Sequence, residues 1–66
     1  MKLYINGTPA VKGQEVTTFR GEQYILVGWR EPQHSGSTGR VYIRNENGER
    51  EFFPSVVDGR FEEDTI

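Results

Sequence analysis

Histidine and hydroxyl side chains crowd one short stretch of this chain. Glu31–Gly39 reads EPQHSGSTG and holds the only histidine, His34, with Ser35, Ser37 and Thr38 beside it. Nucleophilic catalysis would need one hydroxyl held against a base that a third group orients. A run of Pro, Gly, Ser and Thr with no apolar anchor supplies no such positioning. Metal binding fails for a different reason: there is no cysteine and no second histidine to complete a ligand set. Glu49 and Glu51 would share one strand face, but acid–base work needs a cleft that shifts a pKa. Gly36–Arg40, GSTGR, has the composition of a phosphate cradle. Such loops normally open a helix whose amides face the anion, and here a strand follows. Backbone nests bind anions without a helix, so that reading stays open. No catalytic set and no cofactor site emerges, and the chain reads as non-enzymatic.

A surface set is better supported. Arg40, Tyr42 and Arg44 alternate through RVYIR and so share one strand face, with Tyr24 and the loop carrying His34 as neighbours. Tyrosine and arginine are enriched in interface hot spots because they join apolar area to directed hydrogen bonds. The expected partner-binding residues are therefore Tyr24, His34, Arg40, Tyr42 and Arg44. A competing expectation places Tyr42 with Leu26, Leu3 and Ile5 in a minor second core under the N-terminal hairpin.

These residues need a scaffold, and 66 residues allow one domain, over 1–62, with an acidic tail at 63–66 expected to fray. A chain this small buries only about 60% of its unfolded surface, and ~3–5 kcal/mol is a ceiling for its core. Without cysteine no disulfide supplements that core, which fits a reducing compartment. Eight basic residues stand against ten acidic ones, interspersed, for a net charge of −2. Such a balance argues against a sequence-independent grip on nucleic acid. No apolar run approaches the ~20 residues of a membrane span, and the N-terminus has no signal-peptide pattern. A soluble, cytoplasmic protein is expected.

The organising strand is Gln23–Arg30, QYILVGWR, whose β-branched and aromatic residues alternate between two apolar faces. Ile25, Val27 and Trp29 share one face, Tyr24, Leu26 and Gly28 the other, so burial on both sides is expected. Lys2–Ile5 reads as a first strand and Asn6-Gly7 as a type I′ turn. Pro9 confines Thr8–Val11 to an edge. Val16–Phe19 is a short strand with Val16 and Phe19 inward, and Glu22 has a local structural role in the turn that follows. The stretch around His34 is expected to be mobile. Arg40–Arg44 sends Val41 and Ile43 inward. Asn47-Gly48 turns the chain into Glu49–Phe53, with Glu49 and Glu51 across from Arg44 or Arg40. Pro54–Val57 is a single 3₁₀ turn, Val56 or Val57 closes the core, and Arg60–Glu62 adds a last strand. Everything is β.

Five or six short strands, a tight distal hairpin and a 3₁₀ turn before the last strand describe an SH3-like barrel. FFPSVV at Phe52–Val57 resembles the Phe-Pro-Ser-x-x-Val ending of eukaryotic SH3 domains. Their Ala-Leu-Tyr-Asp-Tyr signature and paired tryptophans are missing, so the resemblance implies topology and not proline-rich peptide binding. Across Val16–Val57, the elements TTFRGEQY, STGRVYIR and EREFFPSV resemble a family of small uncharacterised proteins encoded by bacteriophages of actinobacteria. That resemblance implies a phage protein acting in the bacterial host cytoplasm, and it implies no biochemical activity. The leading expectation is an interaction module for a host or phage protein. Single-stranded nucleic-acid binding is one alternative. Another is sequestration of a small anionic ligand by an oligomer, at an interface lined by Arg40 and Arg44. Homodimerisation covering Leu26 or an edge at Lys2–Ile5 is compatible with each.

Overall fold

The computed structural model describes residues 1–33 and 38–63. The expectations for His34, the adjacent serines and the tail beyond Glu63 lie outside the described residues. Seven strands follow in order: β1 (Lys2–Ile5), β2 (Thr8–Pro9), β3 (Glu15–Thr17), β4 (Gln23–Arg30), β5 (Arg40–Asn45), β6 (Gly48–Phe52) and β7 (Gly59–Glu62). A 3₁₀ turn, Pro54–Val57, separates β6 from β7. Pairing is antiparallel throughout and makes two sheets, β2-β1-β7 and β3-β4-β5-β6. Among the described residues no strand ladder joins the two sheets into a closed barrel.

Local chemistry explains the corners. Asn6 and Gly7 take positive φ, 54° and 78°, as a type I′ turn requires, and return the chain antiparallel as β2. The amide of Asn47 donates to Asn45 Oδ1 at 2.8 Å and tightens the β5–β6 turn. Asp58 ends the 3₁₀ turn in the left-handed region, and its carbonyl accepts from Asn6 N at 3.0 Å. Phe19 N donates to Val56 O at 3.0 Å and holds the β3–β4 turn against the 3₁₀ turn.

Thr18 is the buried polar residue of the interior. Its Oγ1 accepts from Glu22 N at 3.2 Å and lies 3.4 Å from Glu22 Oε1, which accepts its proton. Glu22 thus closes its own turn. Thr18→Val keeps the shape but leaves the Glu22 amide without this acceptor, and a loss of about 1 kcal/mol is expected. Urea unfolding checks it, and an unchanged midpoint would refute the role.

One core lies between the sheets: Leu3 and Ile5 from the first, Val16, Tyr24, Leu26, Val41 and Ile43 from the second, and Val57 from the 3₁₀ turn. Val41 and Ile43 point inward as the alternation of β5 requires. Several expectations are corrected. The β4 strand is buried on one face only: Leu26 is fully enclosed, whereas Val27 is exposed and Ile25 half-buried. Two sheets in a chain this short leave nothing to cover the second face. Trp29 is not on the face of Ile25. Pairing steps from Leu26–Ile43 to Gly28–Tyr42, so Val27 is an extra residue, a bulge that reverses the alternation. Gly28 therefore lands outside beside Tyr42, and Trp29 turns in to pack on the core across from Val41. Phe19 does not point inward but is 77% exposed: three residues from buried Val16 it falls on the opposite face, and Thr18 takes the inward place.

Candidate functional site

The uncovered face of the second sheet is where the arginines and Tyr42 gather. Directly opposed residues of antiparallel strands share a face, so the register lays out three rows across β4, β5 and β6. Arg30 stands opposite Arg40, and Phe53, just beyond β6, continues that row with its ring 4.3 Å from the Arg40 guanidinium. Gly28, Tyr42 and Glu51 form the second row. Ile25, Arg44 and Glu49 form the third, with Glu15 of β3 beyond Ile25.

Like charges directly opposite one another destabilise a sheet, so the Arg30–Arg40 pair needs an explanation. Arg40 is anchored locally: its Nη1 donates to Gly39 O at 2.7 Å and contacts Thr38 Oγ1 at 3.4 Å. Stacking on Phe53 adds a cation–π contact. No carboxylate shares their row, and among the described residues Arg30, Arg40, Arg44, Glu49 and Glu51 make no ion pair. Arg44 and Glu49 are opposed but do not touch closely enough for one. Glu51 faces Tyr42 and not Arg40, which corrects the expected pairing.

Tyr42 is half-buried on this face beside the gap at Gly28, where the Lys12 stem lies 3.9 Å from the site of a glycine Cβ. It is not part of a second core. Tyr24 is the residue that sequence reasoning misplaced. It is 7% exposed, sits in the core and meets Phe52 edge-on with ring centroids 6.2 Å apart. The alternation that put Arg40, Tyr42 and Arg44 on one face could not say which face of β4 Tyr24 shares. Conversely, Phe53 and Arg30 belong to the site and were not among the expected residues. Their signal was present in the placement of Arg30 and Arg40 at the two ends of one loop.

Where this face meets the 3₁₀ turn, Pro32, Thr38, Phe53, Pro54, Arg60 and Phe61 line an open groove of about 400 Å³. Arg60 Nε pairs with Glu62 Oε2 at 2.6 Å on the same strand. Gly36 and Ser37 of the expected phosphate cradle lie outside the described residues; its Arg40 contacts Thr38 Oγ1 and Gly39 O. Among the described residues no group of His, Cys, Asp and Glu could hold a metal ion, and no helix is long and apolar enough to cross a membrane. The two surfaces expected to drive dimerisation are closed: Leu26 is buried, and β1 is the central strand of its sheet. No family model, curated protein or solved structure matches the chain.

Proposed function

We propose that this protein is a small non-enzymatic interaction module, an SH3-like barrel of a bacteriophage acting in the host cytoplasm. Its contact surface is the outer face of β4–β6. The observation that carries the reading is the uncompensated Arg30–Arg40 pair flanked by half-exposed Tyr42 and Phe53. Two opposed cations cost stability unless something anionic covers them, and aromatic neighbours supply apolar contact area. An enzyme would need a base or nucleophile held in a cleft, and the carboxylates of this face, Glu49 and Glu51, are exposed.

The test is capture from actinobacterial lysate with wild-type protein and Tyr42→Ala, with and without nuclease. Tyr42 packs on the face away from the core, so the variant is expected to keep its fold within about 1 kcal/mol and to lose its partner. Quantitative mass spectrometry and a thermal melt give both answers. An unfolded variant would return Tyr42 to a core role. Partners that disappear with nuclease would transfer the face to single-stranded nucleic acid.

A further inference from the structure

The three rows of the outer face carry a pattern that their separate residues do not. Phe53, Tyr42 and Ile25 lie on one diagonal, from the last residue of the β6 side to the middle of β4. On one side of that diagonal stand Arg30 and Arg40. On the other stand Glu51 and Glu49 with Arg44, whose mirror position across the diagonal is Gly28, where the Lys12 stem lies with its ammonium over the Trp29 ring. An apolar seam divides a basic corner from an acidic one.

From this we infer that the face binds a second copy of this chain, through a two-fold axis running along the Phe53–Tyr42–Ile25 seam. The inference rests on the reading of this face as an interaction surface and identifies the partner. A two-fold axis lying in the plane between two facing sheets reflects each face across the axis. Arg30 then meets Glu49 of the other copy, Arg40 meets Glu51, and Arg44 meets Gly28 and the aliphatic stem of Lys12 beside it. The three seam residues meet their own counterparts. Every charged contact occurs twice, as an isologous interface requires. An axis along the diagonal also sets the strands of the two copies nearly perpendicular, one of the two packing classes that sheets adopt.

Two further observations agree. The arginines and glutamates concerned have no ion-pair partner within the chain among the described residues. The net charge of −2 opposes association only slightly. Strand spacing and rise make the face roughly 15 Å by 20 Å, on the order of 300 Å² in projection, so the association is expected to be weak. A seam with rim charges predicts association that weakens as salt screens it.

Reciprocal charge swaps test the pairing. R30E/R40E makes both corners acidic, and E49K/E51K makes both basic. Each variant alone is expected to lose about a hundredfold in dimer affinity, equivalent to about 2.8 kcal/mol. An equimolar mixture is expected to recover a heterodimer, because every contact is then again between opposite charges. Sedimentation velocity at low salt reads all four samples, and circular dichroism confirms that each variant is folded. Wild-type protein that stays monomeric up to millimolar concentration would overturn the inference. So would variants that dimerise alone, or a mixture that does not recover. A monomer that still captures a lysate protein through Tyr42 would leave the interaction module standing with a different partner. A monomer that captures nothing would end both readings.

Discussion

The Gly39→Ala protein is expected to be largely unfolded, losing about 3 kcal/mol or more. Gly39 is buried at φ 72°, and a Cβ there would lie 2.7 Å from both the Arg30 carbonyl oxygen and Phe61 Cε2. Two costs combine. A non-glycine residue in the left-handed region costs roughly 1–2 kcal/mol, and forcing a methyl group into packed surroundings typically costs a further ~1–3 kcal/mol. The ring of Phe61 can turn aside, but the Arg30 carbonyl belongs to the backbone at the end of β4 and cannot. Gly21→Ala separates the two terms. Gly21 also has positive φ, 84°, yet nothing lies within 4 Å of its Cβ position, so only the backbone cost of about 1 kcal/mol applies. Chemical denaturation of both variants measures the gap. Equal losses would show that the crowding at Gly39 relaxes freely and that the β4–β5 junction does not depend on close approach.

Leu26→Ala comes next in size, with an expected loss of about 2–5 kcal/mol. Leu26 is fully buried, stands opposite Ile43 and sits with Leu3 and Ile5 of the other sheet in the single core. The backbone bonds at this position, Leu26 N to Gln14 O at 2.9 Å and Gly13 N to Leu26 O at 2.8 Å, are retained by alanine, so the loss is that of the side chain alone. In a domain with a ceiling of ~3–5 kcal/mol, removing three carbons at the centre leaves little or no folded protein. Amide hydrogen exchange and a thermal melt read the outcome. A variant that melts like the wild type would mean that the two sheets collapse around the missing side chain, and that the core is less closely packed than these contacts require.

Both predictions concern the junction that also positions the candidate site. Arg30 and Arg40 are brought together because β4 and β5 are paired to their ends, and Gly39 lets the chain pass under Phe61 just before Arg40. Loss of partner binding in Gly39→Ala would therefore say nothing about the Arg30–Arg40 pair itself. E49K/E51K and Tyr42→Ala act away from that junction, whereas R30E/R40E also removes the Arg40 hydrogen bond to Gly39 O, which is why its fold is checked separately.

Much of the fold was legible because it is written in local rules. The Asn6-Gly7 turn, the edge position of Pro9 and the 3₁₀ turn at Pro54–Val57 follow from the φ values that those residues favour or forbid. In β5 each inward residue is aliphatic and its outward neighbours are polar or charged, so alternation by itself aimed Arg40, Tyr42 and Arg44 outward. In β4 it could not choose, since both faces are apolar. Tyr24 and Leu26 went inside because the first sheet is wide enough to cover one face only.

The sequence by itself therefore determined that the chain is all-β, the order of its main strands and turns, and which residues of β5 face away from the core. Tertiary structure decided the rest. The bulge at Val27 turned Trp29 in and Gly28 out, which is a matter of matching β4 to β5 at both ends and leaves no local mark. The seam of Phe53, Tyr42 and Ile25 between its basic and acidic corners exists only in the register of three strands. Each strand alternates independently in sequence, and only their alignment by the backbone hydrogen-bond ladder turns three alternations into one patterned surface.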